Sequence, residues 1–201
     1  MTESIDEFTK RRMNEFPPHI DETQFPEGER NRIRLLIRAL PLLSSFMEAF
    51  QNDLDLFDYA ERNDTLRMKW APIACRDAIL NLWCFYDALE QIGKALDRCK
   101  YLGGTVPKDV ITVATQSFDA SFPDAVNMRH ITAHPAGHLA AKSRKDHSIN
   151  GTVLIHSSWA GQTVKHSFEG REISFELSDD TVKKLTKIRD GVFSAFRAHR
   201  A

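Results

Sequence analysis

Residues 33–57 read IRLLIRALPLLSSFMEAFQNDLDLF, and their pattern indicates what kind of fold the chain adopts. The apolar residues of this stretch recur at steps of three and four, and this spacing predicts an amphipathic helix. Pro41 lies inside the stripe, where it removes one backbone donor and clashes with the preceding turn. Because the stripe keeps its phase across Pro41, we expect one kinked helix rather than two separate helices. The stripe consists of Ile33, Leu36, Ile37, Leu40, Leu43, Phe46, Met47, Phe50, Leu54 and Phe57.

Helical patterns continue on the C-terminal side of this stretch. A second apolar stripe predicts a long helix from about Pro72 to Cys99. Thr105 and Ser121 are each followed by a proline two residues later, and this pattern predicts the N-terminal caps of two shorter helices. Ser178, followed by two aspartates, predicts the cap of a last helix.

Between the fourth and the last helix the pattern changes to a period of two. Residues 152–156, 162–168 and 171–177 alternate in polarity, which predicts three strands of an antiparallel meander. Ala160-Gly161 and Glu169-Gly170 are the predicted turns, the second of them a two-residue hairpin. We expect Trp159 to lie in the core or at an interface, as for the other two tryptophans, although its place in a predicted turn could expose the ring.

These patterns predict a mostly α-helical fold, a helical bundle with a small three-stranded antiparallel β-meander inserted before the C-terminal helix. Residues 1–27 are polar and contain three prolines, so we expect an N-terminal arm. Residues 28–201 are expected to form a single helical domain, with the meander at 152–177. The meander cannot bury both of its faces alone, so it must pack on the bundle or on a partner.

Composition excludes several classes of protein. The formal net charge is −1, so no global basic field would attract nucleic acid. The most apolar stretch is interrupted by Arg38, Pro41 and Glu48, so no membrane span is expected. An acidic, polar N-terminus and three cysteines without CxxC spacing favour a reduced, cytoplasmic setting.

The candidate chemistry lies in Arg129-His130-Ile131-Thr132-Ala133-His134, at the end of the fourth predicted helix. A guanidinium is a fixed fork of donors that suits a phosphate, and it keeps its charge. A histidine takes or gives a proton near neutral pH. Together they suffice for attack of a ribose 2′-hydroxyl on the neighbouring phosphate, with no metal or other cofactor required.

This stretch resembles the motif of the HEPN superfamily, an arginine followed after four to six residues by a histidine on a late helix of a bundle. Apolar Met128 before the arginine and polar His130 after it are typical of that motif. Family members are α-helical and commonly dimeric, and many are metal-independent ribonucleases in toxin–antitoxin, phage-defence or RNA-processing settings.

The resemblance implies a role for each motif residue. Arg129 would bind the phosphate and stabilise the transition state, His134 would transfer the proton, and His130 would support them. It also implies an endoribonuclease that acts on RNA, forms a homodimer and pairs with an antitoxin or another protein. Three cations of the following loop would then be the nearest RNA contacts: Lys142, Arg144 and Lys145.

Geometry and other functions leave alternatives open. Five residues on a regular helix turn by about 140°, so Arg129 and His134 share a face only if the turn at Pro135 moves His134 round. The module could be HEPN-like but non-catalytic, binding a protein partner or a nucleotide. Arg129 could instead pair with Asp87 or Asp124, and His134 could interact with the helix dipole. His130, His134 and His138, at steps of four, could also ligate zinc, although no glutamate completes a zinc-protease motif.

Overall fold

The protein is mostly α-helical, with a three-stranded antiparallel sheet before the C-terminal helix, as the sequence predicts. The computed structural model describes residues 16–133 and 158–198. The helices in these ranges are α1 (Glu27–Glu61), α2 (Asp64–Arg98), α3 (Lys108–Ser121), α4 (Ala125–Ala133) and α5 (Asp179–Ala198). The strands are β1 (Ser158–Ala160), β2 (Thr163–Phe168) and β3 (Arg171–Glu176), and short 3-10 helices lie at Glu22–Gln24 and Leu102–Gly104.

Helix α1 is a single helix of 35 residues that continues through Pro41, so the prediction of one helix rather than two is confirmed. The apolar stripe faces inward, and burial of its side chains stabilises the helix. This stabilisation exceeds the cost of the hydrogen bond that Pro41 removes, so the helix continues through the proline. The predicted kink at Pro41 stays a prediction. The buried members of the stripe are Ile33, Leu36, Leu40, Leu43, Phe50, Leu54 and Phe57.

Helix α2 begins at Asp64, about two turns before the predicted start near Pro72, so that boundary is wrong. Asn63 explains the earlier start, because its side-chain oxygen accepts a hydrogen bond from the backbone N–H of Thr65 at 3.2 Å. This satisfies one of the N–H groups that the first turn leaves without a partner. Pro72 lies inside the helix.

Two of the predicted caps are also wrong. The hydroxyl of Thr105 donates to the carbonyl oxygens of Tyr101 and Leu102, at 3.2 and 3.1 Å, so it closes the preceding turn. Ser121 is the last residue of α3. Helix α4 starts where the backbone N–H of Ala125 donates to the carbonyl of Phe122 at 3.1 Å. The Thr105 hydroxyl thus bonds to carbonyls of the preceding turn, and Ser121 lies too far before Ala125 to cap α4.

The meander has the strand order β1-β2-β3, and both pairs are antiparallel. The predicted hairpin at Glu169-Gly170 is confirmed, with φ of 49° and 73° at the two turn residues. The first turn is Gly161-Gln162, one residue later than predicted, because Ala160 still pairs with Thr163. The predicted strand 152–156 lies outside the described residues.

Trp159 lies in β1 rather than in a turn. Its ring packs edge-on against Phe57, with centroids 6.3 Å apart and an interplanar angle of 79°. Its Nε1 donates to a carboxylate oxygen of Glu61 at 2.8 Å. The predicted turn at Trp159 is therefore wrong, whereas a core position of its ring agrees with these contacts, since a polar partner and an aromatic neighbour together hold the ring against the end of α1.

The chain forms two compact units. Within the described residues, unit 1 consists of 16–47, 85–120 and 184–198, and unit 2 consists of 48–84, 121–133 and 158–183. In unit 1 the rings of Phe85 and Phe118 stack with centroids 6.1 Å apart. In unit 2 the rings of Phe50 and Phe175 lie 6.2 Å apart. The prediction that 28–201 is a single domain stays a prediction.

Helix α5 starts at the cap that the sequence predicts. The hydroxyl of Ser178 accepts a hydrogen bond from the backbone N–H of Thr181 at 3.4 Å, and Asp179 and Asp180 occupy the first turn. Among the described residues, none of the helices combines the length and apolar character needed to cross a bilayer.

Candidate functional site

The motif arginine lies on α4, a nine-residue helix whose inner face is apolar. Ala125, Met128 and Ile131 are buried at steps of three, and α4 contacts β2 and β3. A carboxylate oxygen of Asp124 lies 3.2 Å from an Nη atom of Arg171, so an ion pair links the start of α4 to β3. These contacts fix the helix and therefore the direction of the side chains on its outer faces.

Arg129 is half-buried, and its guanidinium lies over the indole of Trp83. The distance from Cζ to the ring centroid is 4.3 Å, well within the range of a cation–π interaction. Both residues belong to unit 2. Contact with the aromatic face stabilises the guanidinium through its flat surface. Its N–H groups lie in the guanidinium plane, so they remain suited to an anion.

The charge of Arg129 is not neutralised by either carboxylate that the sequence offers as a partner. Asp124 pairs with Arg171 instead. Asp87 is half-buried, and no ion pair of the described residues involves it. The alternative in which Arg129 pairs with Asp87 or Asp124 is therefore not found in the part of the chain that the structure describes.

Of the other predicted site residues, the structure describes His130 alone. His130 is exposed, one position along α4 from Arg129. His134 follows directly after the last described residue of α4 and lies outside the described residues. Lys142, Arg144 and Lys145, the predicted RNA contacts, also lie outside them. Of the predicted pair, the structure therefore describes the position of Arg129 but not that of His134, and the roles of both stay predictions.

Metal binding was a further alternative, through His130, His134 and His138. Two of these histidines lie outside the described residues. Across residues 16–133 and 158–198, no three histidine, cysteine or acidic side chains are grouped so that they could hold a metal ion.

The indole beneath Arg129 is the part of the site that the sequence did not reveal. Trp83 and Arg129 are 46 residues apart and lie on different helices. Helical periodicity relates residues three or four apart along one helix, so it carries no information about this contact. The relevant signal was indirect, namely the widening of the apolar surface of α2 around Leu82, which includes Trp83.

A hydrogen bond between two helices of unit 2 was also not predictable from the sequence. The Nδ2 of Asn81 on α2 donates to a carboxylate oxygen of Asp53 on α1 at 2.8 Å. Burial raises the pKa of Asp53 to about 6, the Asn81 hydrogen bond opposes this rise, and the charge of Asp77 adds to it.

Comparisons of the chain with protein-family models, with curated proteins and with solved structures each found no match.

Proposed function

We propose that this chain is a HEPN-like endoribonuclease that cleaves RNA without a metal ion, using Arg129 and His134. The observation that carries the proposal is the state of Arg129, which lies over Trp83 at 4.3 Å and has no carboxylate partner among the described residues. Stacking on the indole orients the guanidinium and leaves its in-plane N–H groups suited to an anion. A phosphodiester is the anion that the motif resemblance implies.

The reaction is an internal transesterification. The 2′-oxygen of a ribose forms a bond to the adjacent phosphorus, and the bond from phosphorus to the 5′-oxygen of the next nucleotide breaks. The products are a 2′,3′-cyclic phosphate and a free 5′-hydroxyl. His134 would move the proton, and Arg129 would stabilise the extra negative charge on the phosphorane-like transition state.

Trp83 has a positioning role in this proposal. A stacked guanidinium loses less rotational freedom when the phosphate arrives, because the ring already restricts its orientation. Removal of the ring would leave the charge in place but would let it move, so the rate of the chemical step should fall more than the affinity for RNA.

The test is RNA cleavage by the purified chain in EDTA, followed by gel analysis for products that end in a 2′,3′-cyclic phosphate. Arg129→Ala and His134→Ala should each lower the rate by at least about 100-fold, the size expected for a transition-state donor or a general acid–base group. Trp83→Leu should lower kcat by about 10-fold with a smaller change in KM.

Arg67→Ala is the matched control, because Arg67 is an exposed arginine of the same unit, away from α4, whose charge is paired with Glu61. It should cleave at nearly the wild-type rate. If wild-type protein leaves RNA intact, or if the Arg129→Ala variant still cuts, the proposal is wrong. Retained RNA or nucleotide binding without cleavage would then favour the non-catalytic HEPN-like module. We also propose that the chain forms a homodimer and binds an antitoxin or another protein.

A further inference from the structure

A solvent-facing surface of α1 presents apolar side chains together with an arginine in unit 1. Leu35 is 55% exposed and Leu42 is 40% exposed, although both are large aliphatic residues in a well-packed helix. Arg38 lies between them and is also exposed. Single exposed leucines are normal on protein surfaces, so their spacing on the helix must be considered.

Exposed side chains of α1 have the spacing of the a and d positions of a coiled coil. Five of the exposed residues of α1 lie at alternating steps of four and three, with exposed Arg34 beside them. These five, here called the α1 seam, are Asn31, Leu35, Arg38, Leu42 and Ser45. A 3.5-residue period keeps one line of side chains facing a second helix. The buried stripe of α1 already packs in the core, so the α1 seam is a second, separate face of the same helix.

The charge of this part of α1 is of one sign. Residues 30–47 contain four arginines and no acidic residue. Arg30 donates to the carbonyl oxygen of Phe25, and Arg32 pairs with Glu29. Arg34 pairs with Glu22 at 2.7 Å. Arg38 differs from these three, because no carboxylate of the described residues lies within ion-pair distance of it.

We propose that the α1 seam binds an acidic amphipathic helix of a partner protein. The partner helix would place apolar residues over Leu35 and Leu42 and a carboxylate opposite Arg38. This inference is independent of the RNA-cleaving site, since it involves residues of unit 1 and not the α4 motif.

A second copy of the chain is a poor occupant. Arg38 is the central position of the α1 seam. Antiparallel pairing about that centre, or parallel pairing in register, would set Arg38 of each copy opposite the other. Like charges that face each other across an interface are unfavourable. A helix with a glutamate at the facing position converts the same geometry into an attractive pair.

The expected complex is weak and reversible. Two turns of apolar contact bury far less than the roughly 1,200 Å² that stable protein interfaces require. The two leucines should carry most of the affinity, and Arg38 should decide which partner binds. We therefore expect dissociation constants of roughly micromolar size for a short helix.

The experiment uses the full chain and two fluorescein-labelled peptides of three heptads each, with isoleucine and leucine at the core positions. One peptide carries glutamate at every flanking position and the other carries lysine, so that like-charge repulsion keeps each peptide monomeric. Fluorescence anisotropy at physiological salt should show the glutamate peptide binding at least about fivefold more tightly than the lysine peptide.

Charge reversal provides the decisive comparison. Arg38→Glu should reverse the preference between the two peptides, and loss of folding could not produce such a reversal. Leu35→Ser and Leu42→Ser should each weaken binding of the glutamate peptide by about 10-fold. Val113→Ser is the control, because Val113 is 56% exposed on α3 and should have no effect.

Three outcomes would overturn the inference. The first is that neither peptide binds, and the second is that Arg38→Glu leaves the preference between the two peptides unchanged. The third is self-association of the wild-type chain, seen by sedimentation and abolished by Leu35→Ser, which would make a second copy the occupant of the α1 seam.

Discussion

Asp53 has a carboxyl group whose ionisation opposes folding. It lies on α1, half-buried, with Asn81 as its hydrogen-bond donor. Burial raises its pKa from 3.8 to about 6. Between these values the folded chain holds a proton that the unfolded chain has released. The folded state therefore binds more protons in this window, and stability falls as the pH rises through it.

Asp53→Asn should remove this dependence on pH. The neutral amide has nearly the same shape, and its oxygen can still accept the hydrogen bond from Asn81. After allowance for partial exposure of the group, we expect the free energy of unfolding at pH 7 to rise by about 1 kcal/mol. At pH 4 the variant and the wild type should have nearly equal stability.

Urea unfolding at a series of pH values measures this difference. Asp55→Asn is the matched control, because Asp55 is an exposed aspartate two residues along the same helix. It should show no comparable gain at pH 7. A stability difference between Asp53→Asn and wild type that stays constant from pH 4 to pH 7 would contradict the assignment.

For single side chains, the sequence predicts local chemistry but not contacts between helices. Arg129 could be selected as a candidate because its chemistry is local to its own residue type and its neighbours on α4. Its contact with Trp83 and the Asn81–Asp53 hydrogen bond could not, because both join different helices. A one-dimensional pattern contains no distance between two helices, so tertiary partners of this kind need coordinates.

At the scale of elements, the helices and the strands β2 and β3 followed from periodicity, whereas β1 and several boundaries did not. Ser178 caps α5 as predicted, but the hydroxyl of Thr105 bonds backward. The two residues have the same local chemistry, since each can bond forward to a new helix or backward to the preceding turn. The cap at Asn63 was not predicted, because the apolar stripe of α2 begins later than the first hydrogen-bonded turn of that helix.

The turn between β2 and β3 makes a testable case at this scale. Glu169 and Gly170 both have positive φ, at 49° and 73°. A two-residue hairpin with this backbone favours Asn-Gly, because asparagine and glycine tolerate the left-handed region best. Glu169→Asn should therefore raise the free energy of unfolding by about 0.5 kcal/mol, as measured by chemical denaturation.

Gly170→Ala tests the same backbone in the opposite direction. A Cβ at positive φ is strained, so this variant should lose about 1 kcal/mol. Protection of the β2 and β3 backbone amides from hydrogen exchange would confirm that both variants retain the sheet. Equal stability of Gly170→Ala and wild type would show that the turn does not require its left-handed conformation.

At the scale of the whole molecule, the two long helices determine how the chain should unfold. Helix α1 contributes residues 27–47 to unit 1 and 48–61 to unit 2. Helix α2 contributes residues 64–84 to unit 2 and 85–98 to unit 1. Each helix has a backbone hydrogen-bond ladder that continues through its division, and helix formation is cooperative along such a ladder. We therefore expect both units to unfold in one transition.

The tryptophans allow a sharp test of this cooperativity. Trp70, Trp83 and Trp159 all belong to unit 2, so their fluorescence reports on that unit, whereas far-ultraviolet circular dichroism reports on every helix. The two signals should give the same midpoint.

Ile33→Val in the core of unit 1 should lower that midpoint by about 2–4 °C per kcal/mol lost, including the midpoint seen by fluorescence. Ile79→Val, in the core of unit 2, should do the same. If Ile33→Val shifted the circular dichroism transition but not the fluorescence transition, the units would unfold independently despite the helices that they share.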